Sequence, residues 1–279
     1  MNPRLIVNAD DYGLTSGVSE GIRYAHLSGI VSSTSAMMNH PASQSDLPKA
    51  RSRCPKLGLG VHLVLTIGTP VLPTEKVPTL VDASGAFLKH DVLSKRLDQI
   101  NPDEALAEWQ AQVQQFVRVT GRNPDHLDSH HHCSYFSPAL FERMLMLAAE
   151  IGCPIRCPYG NEAISAAGYL PGGHVETDFA AVQALLAKYK PKTTQVFCGD
   201  FYGETATMTH LTEVLAKLAA DTSGQTLELM CHPTVLDNKL RSVSSYTHQR
   251  AVELQILTDP HARALLKENN IELINFGDL

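Results

Sequence analysis

The chain has 279 residues, of which 43% are hydrophobic and 19% are charged, and its net charge at pH 7 is −6. That apolar content is sufficient for a sizeable core, and α/β barrels commonly reach this length as one domain. The acidic balance, without a dense block of Lys or Arg, argues against a nucleic-acid-binding protein.

Short apolar runs alternate with predicted helices along most of the chain. The runs predicted as strands lie at about 4–8, 30–38, 57–65, 125–129, 154–157, 194–198, 226–231 and 271–275. The predicted helices run from Thr15 or Ser16 to Gly29, from Pro102 to about Thr120, and over about 137–151, 178–189, 207–221 and 247–258. Sustained alternation is typical of a parallel α/β fold. We therefore predict one domain over residues 1–279, a TIM-like (β/α) barrel that is seven-stranded or distorted.

Two long stretches interrupt this alternation, at about 66–100 and 158–175. Both are rich in Pro and Gly, and each follows a predicted strand that carries a candidate site residue. Loops of this length in a compact enzyme are usually lids or binding loops. We therefore expect the two stretches to form walls of a substrate cleft.

The cysteines and the first residues bear on the cellular compartment. Six cysteines are scattered along the chain without a C-x-x-C pair. Because charged Arg4 and Asp10 come early, we expect no signal peptide, and no long apolar run predicts a membrane span. Reduced thiols in a cytoplasmic enzyme are the simplest interpretation.

Two adjacent carboxylates, Asp10 and Asp11, come directly after the first apolar run. Like charges at this spacing repel, and burying either one unpaired costs several kcal/mol. A cation, or a proton shared with substrate, removes that cost. The structural alternative is a turn in which the Asp pair caps a helix and Gly13 ends the strand.

Other candidate site residues recur in the same setting, inside or at the end of a short apolar run: His62, Asp128, His130, His132, Arg156 and His232. This placement is expected when a parallel barrel carries its site on the C-terminal ends of its strands. If the strand before His130 continues, alternation places His130 and His132 on one face and His131 on the other.

Asp10, Asp11, His62 and His130 together offer a mixed oxygen and nitrogen ligand set with one carboxylate to spare. Three protein ligands with one open position are typical of a hydrolytic metal site. The spare carboxylate could accept a proton from water, and His232 could protonate a leaving nitrogen.

The remaining candidates have more than one interpretation. We expect Asp128, His132 and Arg156 to bind substrate or to orient other site groups. His62 could instead be a core histidine, and Arg156 could form a purely structural ion pair.

Four blocks of sequence then resemble the YdjC-like carbohydrate deacetylases: Ile6-Val7-Asn8-Ala9-Asp10-Asp11-Tyr12-Gly13-Leu14, Gly60-Val61-His62-Leu63-Val64-Leu65-Thr66, His126-Leu127-Asp128-Ser129-His130-His131-His132 and Glu228-Leu229-Met230-Cys231-His232-Pro233. The blocks occur in the order that the family has them and span most of the chain. One departure is the pair Cys133-Ser134, where close members have a small apolar residue and another His.

The resemblance implies a β/α barrel with a divalent metal ion, magnesium first and zinc as the alternative. Residue by residue, Asp11, His62 and His130 match the metal ligands of the family, Asp10 its general base and His232 its general acid. The implied reaction removes the acetyl group from an N-acetylated sugar.

We therefore expect a metal-dependent hydrolase that deacetylates a short N-acetylglucosamine-containing saccharide such as diacetylchitobiose, releasing acetate. The alternatives are a hydrolase of another amide or of a glycolipid precursor, and a non-catalytic sugar-binding relative. Asp10 and His232 argue against the last, because binding alone needs neither. The expected partner is a small saccharide, with no nucleic acid and no membrane, and a homodimer is left open.

Overall fold

The computed structural model describes residues 2–159, 178–220 and 224–279. Its parallel sheet contains strands β1 (Arg4–Tyr12), β2 (Ser33–Ala36), β3 (Gly58–Leu63), β4 (Leu127–Ser129), β5 (Val196–Cys198), β6 (Thr226–Cys231) and β7 (Glu272–Leu273). Their order across the sheet is β4-β3-β2-β1-β6-β5, and β7 pairs with the start of β1. The long central strand β1 therefore lies between the strands that carry the other candidate residues.

Helices cover the sheet and connect most of its strands. They are α1 (Ser16–Ser28), α2 (Pro41–Arg53), α3 (His90–Leu93), α4 (Pro102–Thr120), α5 (Pro138–Ile151), α6 (Phe179–Tyr189), α7 (Met208–Ala220), α8 (Asn238–Val243), α9 (His248–Thr258) and α10 (Pro260–Glu268). The predicted ends of α1 and α4 agree with the structure, since Thr15 caps α1 and Gly121 ends α4 in a left-handed conformation.

The sheet curls so that its two ends approach each other. Leu127 of β4 pairs with Ile155, whose backbone N–H donates to the carbonyl of Lys192 on the segment that leads into β5. The predicted strand 154–157 is wrong as a strand, because within the described residues it forms only this single bridge. The predicted α/β class with a parallel sheet is confirmed, and the architecture over the described residues is a curled half-barrel.

Four helices of the described chain were absent from the sequence prediction: α2, α3, α8 and α10. Helix α2 buries Ser43 and Asp46 beside Leu47 and Ala50, so its inward face lacks a continuous apolar stripe. Tertiary contacts replace that stripe, since the Tyr12 hydroxyl donates to the carbonyl of Asp46 at 2.7 Å.

The loop at 66–100 is fixed to helix α4 by the buried carboxylate of Glu108 and the half-buried carboxylate of Glu104. The carboxylate of Glu108 accepts the backbone N–H groups of Val71 and Leu72 at 2.9 and 3.0 Å, and Glu104 accepts that of Thr79 at 2.8 Å. Of the second predicted loop, 158–175, only the first two residues are described, and the rest lies outside the described residues. No helix in the described part of the chain is long and apolar enough to span a membrane.

Candidate metal centre and active site

The end of β1 directs two adjacent carboxylates into the interior. Regular alternation would send Asp10 and Asp11 to opposite faces of the sheet. The pairing with β2 shifts register between Ala9 and Tyr12, and Asp11 has a φ of 70°. A bulge of this kind re-aims a side chain. Both carboxylates are buried as a result, with exposures of 2% and 1%.

Asp11, His62 and His130 converge on one point. Asp11 Oδ1 lies 2.9 Å from His130 Nδ1 and 3.3 Å from His62 Nε2, and the two ring nitrogens are 3.3 Å apart. The second nitrogen of His130 is buried and has no hydrogen-bond partner among the described residues. A carboxylate oxygen and two imidazole nitrogens within 4.8 Å of one another are a donor set that fits a divalent cation.

Asp128 and Ser35 orient the ring of His62. The Asp128 Oδ1 atom is 2.8 Å from His62 Nδ1, and the Ser35 hydroxyl donates to Asp128 Oδ2 at 2.7 Å. A carboxylate on one ring nitrogen fixes the orientation of the ring, so that the neutral ring would direct the Nε2 lone pair at the point shared with Asp11 and His130. The structure thus places Asp128 where it orients His62.

The site attracts positive charge. Burial opposes protonation of His62, but the carboxylates of Asp128 and Asp10 outweigh it and raise the pKa of His62 to about 10. Burial likewise opposes the ionised form of Asp11, yet Arg250 and His130 hold its pKa well below the usual range. A cation held by Asp11 and His62 would occupy the place of that His62 proton.

Arg250, on helix α9, contacts the second oxygen of Asp11. Its Nη2 atom donates to Asp11 Oδ2 at 2.6 Å, and its Nε atom donates to the backbone carbonyl of Tyr246 at 2.9 Å. The sequence analysis missed this residue. The available signal was the spacing of Arg250, Glu253 and Leu257, which lie on one buried face of the helix.

Arg156 joins Asp10 to β6. The guanidinium donates to both carboxylate oxygens of Asp10 at 2.7 Å and to Glu228 Oε1 at 2.8 Å. Burial works against the charge of Asp10, but Arg156 lowers its pKa, so Asp10 is ionised at neutral pH. Burial raises the pKa of Glu228 to about 7 in spite of the same guanidinium. Glu228 was not among the predicted site residues, although it lies in the fourth sequence block.

His232 follows β6 and lies on the wall of the site. Its backbone N–H donates to the carboxylate of Glu253, and its ring centroid is 5.4 Å from that of Tyr202 and 5.9 Å from that of Tyr246. Its Nδ1 atom is buried without a hydrogen-bond partner in the described part of the chain. Burial, with Arg250 nearby, lowers the pKa of His232 to about 4, so the ring is neutral at pH 7.

The predicted strand alternation at the His run is wrong. β4 ends at Ser129, and residues His130–Tyr135 form a 3₁₀ segment in which His131 and His132 have φ of 52° and 55°. His131 turns toward Thr66, whose hydroxyl is 3.0 Å from its Nδ1 atom. His132 is buried beside Phe197, with ring centroids 5.9 Å apart.

Residues 4–268 match the model of the family described as "YdjC-like protein". The chain belongs to the YdjC-like family. It is 32% identical over 280 residues to a carbohydrate deacetylase of Enterococcus faecalis V583, covering 100% of this chain and 98% of that protein. It is 35% identical over 284 residues to a chitooligosaccharide deacetylase of Yersinia enterocolitica, covering 100% of both.

A crystal structure from Enterococcus faecalis V583, described as a candidate cellobiose-phosphate cleavage protein, has the same fold as this YdjC-like chain. The two are 31% identical, with a TM-score of 0.86 over 100% of this chain and 99% of the other. The family predicted from the four sequence blocks is therefore confirmed.

Proposed function

We propose that the protein is a metal-dependent hydrolase that removes the N-acetyl group from a short N-acetylglucosamine-containing saccharide, such as diacetylchitobiose, and releases acetate. The enzyme class, a carbohydrate deacetylase, follows from full-length relatives that carry that name. The observation that carries the chemistry is the convergence of Asp11, His62 and His130 beside a spare carboxylate, Asp10.

Asp11, His62 and His130 are the residues that would hold the metal ion. When bound, a divalent ion acidifies water and polarises an acyl carbonyl. The family resemblance implies magnesium, whereas two imidazole nitrogens are donors that suit zinc better than magnesium. Both ions therefore belong in the test.

Asp10 is the proposed general base. Its Oδ2 atom accepts one hydrogen bond from Arg156, at 2.7 Å, which leaves a second lone pair for a proton taken from the attacking water. Arg156 keeps the carboxylate ionised and fixes its plane. Glu228 also pairs with Arg156, at 2.7 Å, so the two carboxylates share the guanidinium charge. Arg156 therefore lowers the basicity of Asp10 less than it would if Asp10 were its only partner.

His232 is the proposed general acid. Since its ring is neutral at pH 7, the proton that it donates to the leaving nitrogen must reach it during turnover. Its unpartnered Nδ1 atom is available to receive that proton. A neutral ring that only donates a hydrogen bond to the reacting carbonyl is the alternative role.

Other substrates share the same chemistry at the carbonyl. Another amide, or a glycolipid precursor, would use the same residues, and a sugar-binding relative would need neither Asp10 nor His232. We expect the enzyme to act on small saccharides in the cytoplasm, as one domain over residues 1–279, alone or as a homodimer.

The test combines metal analysis with a substrate screen. Acetate release is measured on N-acetylglucosamine and on its di- and trisaccharide, with Mg²⁺ or Zn²⁺ added to metal-free protein. His62→Ala is compared with His261→Ala, a matched change at an exposed histidine on helix α10, outside the site. The proposal expects metal loss and loss of acetate release in His62→Ala only. Stoichiometric metal and normal turnover in His62→Ala would overturn it.

A further inference from the structure

A second cluster of metal-ligating side chains lies after β5, formed by Cys198, Asp200 and His210. Cys198 is the last residue of β5, Asp200 follows in the next turn, and His210 lies in the first turn of α7. The cluster shares no residue with the Asp11, His62 and His130 site. Unlike that site, this cluster contains a thiol.

The three ligand atoms face one another. Asp200 Oδ1 lies 3.0 Å from Cys198 Sγ and 3.1 Å from His210 Nε2. Local hydrogen bonds hold the segment in this conformation: the Thr205 hydroxyl donates to the Asp200 carbonyl, and the Thr207 hydroxyl accepts the His210 backbone N–H at 3.1 Å. The convergence is therefore built into the strand–turn–helix connection.

The distance between Cys198 Sγ and Asp200 Oδ1 is shorter than the thiol–oxygen distances at Cys231 and Cys133. The thiols of Cys231 and Cys133 lie 3.4 and 3.9 Å from the backbone oxygens that they contact, against 3.0 Å at Cys198. Ligand atoms around a tetrahedral zinc ion lie roughly 3.4–3.6 Å apart. The two separations that involve Asp200 need to lengthen by only about 0.5 Å to reach this range. The Cys198 Sγ and His210 Nε2 atoms lie within 4.8 Å of each other.

Burial also suits a metal site with access from solvent. Cys198 is buried, which shields a zinc–sulfur bond, whereas the side chains of His210 and Asp200 are 22% and 26% exposed. An ion can enter from the His210 side, and water can complete a fourth position.

We propose that Cys198, Asp200 and His210 form a second metal site, selective for a thiophilic divalent ion such as Zn²⁺. Binding replaces the thiol proton of Cys198, which passes to the buffer, and involves no oxidation or reduction. The ion would tie the end of β5 to α7 and so fix the turn that carries Tyr202, whose ring lies beside His232.

Cobalt titration of the full chain tests the proposal, because a thiolate bound to Co²⁺ gives a near-ultraviolet charge-transfer band that oxygen and nitrogen ligands do not. The wild type should develop the band stoichiometrically, and Zn²⁺ should displace it. Cys198→Ser should lose the band, and His210→Ala should weaken it. His62→Ala, which alters the other site, and Cys153→Ser, which removes a thiol outside the cluster, should keep it.

Two results would overturn the proposal. A wild type without the band at saturating Co²⁺ would show that the cluster is a hydrogen-bonded network only. A band that survives in Cys198→Ser would assign the thiolate elsewhere. Far-ultraviolet circular dichroism checks that each variant is folded. Because the side chain of His210 is partly exposed, His210→Ala is a second route if Cys198→Ser fails to fold. The deacetylase site is tested separately, by metal binding and acetate release in His62→Ala. Absence of the cobalt band would therefore overturn the second metal site without bearing on the proposed deacetylase site.

Discussion

Arg156 donates two parallel hydrogen bonds of 2.7 Å to the carboxylate oxygens of Asp10, which lies 146 positions earlier in the chain. A forked pair of this kind fixes the plane of a carboxylate as well as its charge. Asp10 also accepts from the side-chain amide of Asn8 at 2.9 Å. The candidate base is therefore ionised and held in one orientation beside the ligand set.

Replacing Asp10 by Asn should separate the base from the metal ligands. Asp10→Asn should retain the metal and lower kcat by roughly 10²–10⁴, as expected for loss of a general acid–base group. Glu228 and Asp128 still pair with Arg156 in this variant, so the fold should persist. Steady-state kinetics and metal analysis, with Asp11→Asn as the comparison, provide the measurement. Metal loss equal to that in Asp11→Asn would show that Asp10 is itself a ligand, so that the two roles are merged or exchanged.

Arg250 should act by positioning Asp11. Arg250→Lys keeps the positive charge but cannot contact both Asp11 and the Tyr246 carbonyl with one forked group. Metal affinity should fall about 10–100-fold, the range for loss of a group that orients a ligand. Calorimetric titration with Mg²⁺ and Zn²⁺ measures it. The control is Arg263→Lys. This arginine lies on helix α10 and donates to the carbonyl of Gly29 at the end of α1. An unchanged Kd in Arg250→Lys would assign Arg250 to packing alone.

His232 should matter more for amides than for activated esters. An amine leaving group needs a proton before it departs, whereas an activated ester needs little. His232→Ala should slow amide cleavage by roughly 10²–10⁴ and spare metal binding. Rates on an N-acetylated sugar and on an activated acetate ester are compared in the same preparation. Equal losses on the two substrates would exclude the acid role and favour a hydrogen bond to the reacting carbonyl.

Glu253 should make the protein more stable at mildly acidic pH than above pH 7. Burial raises the pKa of Glu253 to about 7 from the usual 4.5, although its carboxylate accepts from the Tyr246 hydroxyl at 2.5 Å. Because the folded pKa lies above the unfolded one, the folded state binds the extra proton between these values. The stabilisation is complete below pH 4.5 and is lost as the pH rises through 7.

Urea denaturation of the wild type and of Glu253→Gln measures this effect. Between pH 5 and 7 the free energy of unfolding of the wild type should fall relative to that of the variant, by up to about 1.4 kcal/mol per pH unit. A difference that stays constant with pH would contradict the raised pKa of Glu253.

Local sequence patterns predicted much of the fold. Apolar runs identified the strands of the sheet, but β1 continues to Tyr12, past the predicted end at residue 8. Asp10 and Asp11 lie inside that strand because Arg156 and His130 pair with them in the interior, which an apolar pattern does not show. The strand predicted at 154–157 has the right composition, yet in the part of the chain that the structure describes it pairs as a strand only at Ile155.

The sequence predicted mainly those residues of the candidate site that lie in the recognised motifs. Asp11, His62 and His130 come together as expected. Arg250 could not be assigned, because its partner Asp11 is 239 positions away and a charged helix residue usually faces solvent. The His run could not be placed, because positive φ at two consecutive histidines follows from tertiary contacts.

Acetate release from diacetylchitobiose before and after metal removal tests the central claim most directly. Metal-free wild type should release no acetate, and Mg²⁺ or Zn²⁺ should restore the reaction. His261→Ala should recover in the same way, whereas His62→Ala should not. Metal-free wild type that releases acetate at the rate of the reloaded enzyme would contradict metal-dependent deacetylation at Asp11, His62 and His130.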